Sequence, residues 1–80
     1  MNNEIQIFVR LLDEDVDVWR PILAEHRLGS LYRIVEQPYD EESEKWEFRP
    51  GRTVVCEQIE TSEGRILAAI REAGDDDWPT

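Results

Sequence analysis

Ile5, Ile7, Val9 and Leu11 alternate with Gln6, Phe8 and Arg10 near the start of the chain. This two-residue apolar rhythm constrains the fold more than any other feature. Successive side chains of an extended strand point to opposite faces, so the rhythm builds one apolar face and one polar face. Asp13-Glu14-Asp15 stops it as a turn. The same kind of run restarts further along, always cut short by glycine, proline or acidic residues, and the expected fold class is all-β.

Val16 to Glu25 carries Val18, Trp19, Ile22 and Leu23 around Pro21. Proline has no N–H to give to a ladder, so the segment is expected as an edge strand or a strand bent at Arg20-Pro21. A helix over 22–28 with Gly29 as its cap is the alternative left open. Leu31 to Gln37 sets Leu31, Arg33 and Val35 against Tyr32, Ile34 and Glu36, and Pro38 ends it. An acidic loop follows at 38–45. Trp46-Glu47-Phe48 is expected as a short strand with both aromatics on one face. Pro50-Gly51 has type II turn chemistry, because proline presets φ and glycine accepts φ > 0. Thr53 to Ile59 is β-branched and continuous, and Ser62-Glu63-Gly64 is expected to turn a hairpin. Residues 65–72 fit a helix through Ile66, Leu67 and Ile70, or a strand through Ile66, Ala68 and Ile70. The tight turn before them favours strand.

Five or six short antiparallel strands with tight turns predict a small barrel, whose closure removes edges that so small a sheet could not protect. With 80 residues the chain is read as a single domain over 1–73 followed by a flexible acidic tail over 74–80. Such a core supplies stability of about 3–5 kcal/mol.

Charge narrows function more than fold. The chain carries 19 acidic and 9 basic residues, a net charge of −10. That field repels phosphate backbones and anionic leaflets, so direct nucleic-acid and membrane binding are not expected. It suits a basic partner, or serves solubility alone. Cys56 is the only cysteine, so no internal disulfide and no cysteine-based zinc cluster can form within one chain. The opening Met1-Asn2-Asn3-Glu4 has no basic region followed by an apolar run, and the expected compartment is the cytoplasm.

The order Val18-Trp19-Arg20-Pro21-Ile22-Leu23-Ala24-Glu25, Gly29, Tyr32-Arg33-Ile34 resembles the opening hairpin of small SH3-like barrels of the tudor and Agenet type. Trp46-Glu47-Phe48, Pro50-Gly51 and Val54-Val55-Cys56 resemble their later hairpin. The whole pattern, from about Ile5 to Ile70, is also similar to short bacterial proteins of uncharacterised function. The resemblance implies the barrel but no activity, since this architecture hosts unrelated functions. The chain departs from methyl-lysine readers in that spacing alone places no complete aromatic cage.

Catalytic and metal constellations are weak. Asp13, Asp15 and Asp17 have the spacing that opens a calcium loop, but Val18 and Ala24 stand where it needs glycine and glutamate, which leaves a solvated turn. No spacing ties His26 to a nucleophile. Cys56 lies in a β-branched run, where a thiol acts as a small apolar group. No catalytic residue, cofactor or metal is assigned. Aromatics beside acids are the better candidates, since flat rings bind cationic or proline-rich segments. Trp19, Tyr32 and Tyr39, with Glu41 and Glu42 supplying charge, are the expected partner-binding residues. Trp19 and Tyr39 fit surface and core equally well. The expected function is a non-catalytic protein-binding or regulatory module, a monomer or weak homodimer, facing a basic or proline-rich segment. An acidic inhibitor or nucleic-acid mimic is the alternative, and an enzyme of unknown chemistry the remotest.

Overall fold

The computed structural model describes residues 4–78. The first three residues of the expected domain and the last two of the expected tail lie outside that range. Five strands follow one another: β1 (Glu4–Arg10), β2 (Trp19–Leu28), β3 (Leu31–Ile34), β4 (Thr53–Thr61) and β5 (Gly64–Glu72). They close into a barrel in the order β1-β2-β3-β4-β5. The architecture is all-β and compatible with an SH3-like barrel. Segments 22–28 and 65–72 are strands, not helices.

One junction departs from an all-antiparallel barrel. Neighbours in a meander alternate in direction, so with an odd number of strands the first and last run the same way. β1 and β5 therefore meet in parallel, through the pair Phe8 and Ala68. The other four ladders are antiparallel.

Ile7 and Val9 of β1, Ile22 and Ala24 of β2, Ile34 of β3, Val54 and Cys56 of β4 and Ala69 of β5 fill the interior, with Trp46 closing it from the long loop. The alternation read along β1 thus marks its inward face. Burying each larger aliphatic side chain contributes about 1.5–3 kcal/mol.

Pro21 sits inside β2, opposite Phe8. Its tolerance follows from the pairing. β3 covers β2 only from Ala24 onward, so Trp19–Leu23 have a strand partner on the β1 side alone. Alternate residues aim N–H groups at the same edge. The Leu23 N–H points away from β1, to Gln37 Oε1 at 3.0 Å. The Pro21 nitrogen faces that same unladdered edge, where no hydrogen bond is lost.

The segment beginning at Leu31 leaves the sheet earlier than its alternation suggests. The Ile34 N–H donates to Arg52 at 2.9 Å, and its carbonyl accepts from Gly51 at 2.7 Å. These bonds tie it to the Pro50-Gly51 turn, where Gly51 takes φ +92° and the Arg52 N–H closes back on Arg49 at 3.2 Å. Beyond Ile34 the Val35 N–H still reaches the Leu23 carbonyl, at 3.3 Å, and a side chain adds the remaining bonds. Gln37 Nε2 donates to the Leu23 carbonyl at 2.8 Å and to the Val35 carbonyl at 2.9 Å.

Trp46-Glu47-Phe48 is not a strand, which corrects the sequence reading. It reduces to one bridge, Leu11 to Trp46. Running antiparallel from that bridge, Phe48 would fall opposite Val9, where the edge of β1 already passes to β5 at the Phe8–Ala68 pair. Both aromatics still face the same core, Trp46 buried and Phe48 half-buried. Beyond β5, Asp75–Asp77 form a single 3-10 turn. Two parallel bonds of 2.7 Å from Arg71 to the Asp77 carboxylate hold it to the end of the strand.

Candidate functional site: an outer groove beside the β4–β5 hairpin

The interior is not the only apolar surface. Leu67 and Ala69 face the core, so Ile66 and Ala68 face outward on β5, and Ile59 stands opposite Ile66. On β1, Phe8 lies between inward-facing Ile7 and Val9 and so also points outward, against Ala68 at the closing pair. Ala68 is 0% exposed despite facing out, so this seam is itself covered.

Beside it lies a groove of about 560 Å³. Phe8, Val18, Trp19, Ile59 and Ile66 give it apolar and aromatic walls, and Asp17, Glu60 and Glu63 give it an acidic rim. Trp19, the first residue of β2, stands opposite Arg10. The neighbouring Val18 carbonyl accepts from the Leu11 N–H at 2.9 Å. The hairpin wall is set by the Ser62-Glu63 turn, with Gly64 at φ +124° and the Thr61 hydroxyl donating to the Gly64 carbonyl at 2.7 Å. On the rim, Asp17 is 3.7 Å from Arg10 and Glu60 takes two bonds from Arg65, at 2.8 and 3.0 Å. Glu63 has no cationic partner among the described residues.

A second, smaller hollow of about 430 Å³ is lined by Arg20, Pro38, Tyr39, Asp40, Ser43, Glu44 and Trp46. Its polar groups serve the loop itself. The Tyr39 and Trp46 rings sit 4.5 Å apart, and the Tyr39 hydroxyl accepts from the Trp46 backbone N–H at 3.1 Å. Glu44 accepts from the Trp46 indole at 3.1 Å and lies 3.3 Å from Arg20. Asp40 takes the Ser43 hydroxyl at 2.7 Å and the Glu42 N–H at 3.0 Å, which lowers its pKa in that order of effect. Committed donors and acceptors of this kind brace a loop.

The five residues expected to bind a partner are not gathered into one place. Trp19 lines the larger groove and Tyr39 the smaller hollow, each half-buried; Tyr32, Glu41 and Glu42 line neither. Tyr32 packs on the core with its ring 4.8 Å from His26, and burial pushes its hydroxyl pKa up, with Cys56 adding to the effect. Glu41 is ion-paired with Arg49 at 3.3 Å, and Glu42 is exposed on the Asp40 turn.

Other chemistry-bearing residues have structural settings. A carbonyl can only accept, so His26 Nε2 carries the hydrogen that reaches Gly29 at 2.8 Å. Burial pushes the Cys56 thiol up to about 12, so it stays protonated at neutral pH. Asp13 and Asp17 are each ion-paired, and no group of three or more metal-ligating side chains comes together among the described residues. Nor is any helix among them long and apolar enough to cross a membrane.

Phe8, Ile59 and Ile66 were missed as wall residues by sequence reasoning. For Phe8 the signal was present, since it is apolar in the phase that a one-faced strand would leave polar, whereas Ile66 stood in the phase read as apolar and the inward set proves to be Leu67 and Ala69. Compared with family models, curated proteins and solved structures, the chain matches none.

Proposed function

We propose that this chain is a non-catalytic protein-binding module that seats a basic segment of a partner in the groove walled by Phe8, Trp19, Ile59 and Ile66. One observation carries the reading: an aromatic hollow rimmed by carboxylates, on a molecule whose own cations are nearly all engaged. Every lysine and arginine except Arg33 is already within 2.7–3.9 Å of a carboxylate of the chain. The surplus acids therefore attract cations from elsewhere. A Trp19 face beside Asp17 and Glu63 suits an arginine or lysine by cation–π attraction, or a proline beside one. The setting for this reading is a monomer in the cytoplasm. A tudor- or Agenet-like mode is the special case in which the seated cation is methylated.

The test is an NMR titration of the labelled protein with an arginine- and proline-rich peptide, its trimethyl-lysine counterpart and a glutamate-substituted control. Trp19→Ala should weaken binding by about tenfold or more, as loss of an aromatic anchor does, while the spectrum stays dispersed. Unchanged affinity in a folded Trp19→Ala variant refutes the groove. A second reading, an acidic decoy for another protein's nucleic-acid channel, draws on the net charge of −10. It predicts binding that collapses with salt and is indifferent to Trp19.

A further inference from the structure

β4 outruns its neighbour. β3 pairs with it only through Leu31–Val55, Tyr32–Val54 and Arg33–Thr53, whereas β4 continues against β5 as far as Thr61. The Cys56 N–H still finds the Ser30 carbonyl on the β3 side, at 2.9 Å. Alternate residues present their backbone groups to the same edge, so Gln58 and Glu60 aim theirs past the Gly29-Ser30 turn, where β3 has not begun. Both are exposed, and among the described residues no strand pairs with that edge. A row of unpaired N–H and C=O groups is a template for another strand. Glu60 also lines the aromatic groove, so edge and groove meet at one residue.

We propose that the β4 edge at Gln58 and Glu60 takes an extended, lysine- or arginine-rich segment of a partner protein by strand addition. The proposal rests on the reading of this chain as a receptor for a basic segment, and names how the segment is held. Charge selects the occupant. A second copy of this chain would bring another net charge of −10 against the same face, and the two fields repel. A basic strand meets the opposite charge of that field, with Glu57 and Glu63 having no ion-pair partner among the described residues. Its backbone supplies affinity through main-chain hydrogen bonds, and its alternate side chains supply specificity.

The test uses a capped peptide of alternating lysine and valine, with two derivatives N-methylated on its odd or on its even residues. An added strand bonds to the edge through every second residue only. One methylation phase should therefore lose about tenfold or more in affinity, the worth of two backbone hydrogen bonds, while the other stays within about twofold of the parent. The Gln58 and Glu60 amides should exchange more slowly in the complex. Equal behaviour of the two derivatives overturns strand addition, as does failure of the parent peptide to bind at low salt. Self-association through this edge, seen by sedimentation and amide protection without peptide, overturns it as well. Binding lost in Trp19→Ala with no dependence on methylation phase keeps the groove and removes the strand. Phase dependence at undiminished affinity in Trp19→Ala does the reverse.

Discussion

Gln37→Glu tests whether one side chain stands in for a missing strand on the β2 edge. The wild-type amide accepts from the Leu23 N–H at 3.0 Å and donates to the Leu23 and Val35 carbonyls at 2.8 and 2.9 Å. A carboxylate keeps the first bond and loses the other two, and its second oxygen then faces two carbonyl oxygens. Each lost bond costs about 0.5–1.5 kcal/mol, and water at the exposed Leu23 offsets part of it, so a loss of about 1–2 kcal/mol is expected at neutral pH. The facing carbonyls disfavour the charged form, so the folded-state pKa of the introduced carboxyl rises above its unfolded value of about 4.3. Taking up a proton restores one donor. The variant's stability contribution is therefore complete below the unfolded pKa and is lost as pH rises through the folded pKa. Urea unfolding of variant and wild type at pH 3.5 and pH 7 measures this as a difference of differences. The deficit should be about half as large at the lower pH, one of two donors having returned. An equal deficit at both pH values, or none, refutes the strand-substitute role.

Trp46→Ala should leave the chain unfolded or molten at 25 °C, because loss of a buried tryptophan costs about 3–5 kcal/mol, as much as a domain of this size has in total. Trp46→Phe should stay folded; a cooperative wild-type-like melt of Trp46→Ala by circular dichroism contradicts this. The Asp77 carboxyl should titrate at about 2, held down first by Arg71 and then by the Gly74 N–H. In Arg71→Ala it should move toward the ordinary value of about 4 in a carboxyl-detected NMR titration. Because the folded pKa is depressed, the turn's contribution is full above pH ~4 and disappears as pH falls toward ~2; a titration unmoved by the substitution removes Arg71 as the cause.

Where apolar side chains alternated with polar ones, the sequence disclosed the strands directly, as along Ile5, Ile7 and Val9. Turn chemistry was equally plain at Pro50-Gly51, because few residues accept the backbone angle found at Gly51. What escaped was pairing at a distance. Trp46 carries strand-forming residues around it, but how far it pairs depends on how much of the edge of the strand from Ile5 is free, and β5 takes that edge at Phe8. The outer groove was half legible. Trp19 stood out as an aromatic among charges, whereas Phe8, Ile59 and Ile66 become a wall only when parallel closure sets their strands side by side. Tyr39 looked like Trp19 in sequence and differs from it because its hydroxyl is used by Trp46.

The parallel meeting of β1 and β5 has a further consequence for how the ring is made. Each of the other junctions joins segments that follow one another along the chain, so each can zip without waiting for the rest. The Phe8–Ala68 junction joins the first strand to the last, with one pair in register. It is the junction whose strands lie furthest apart along the chain, so its closure carries the largest loop cost and completes the aromatic wall.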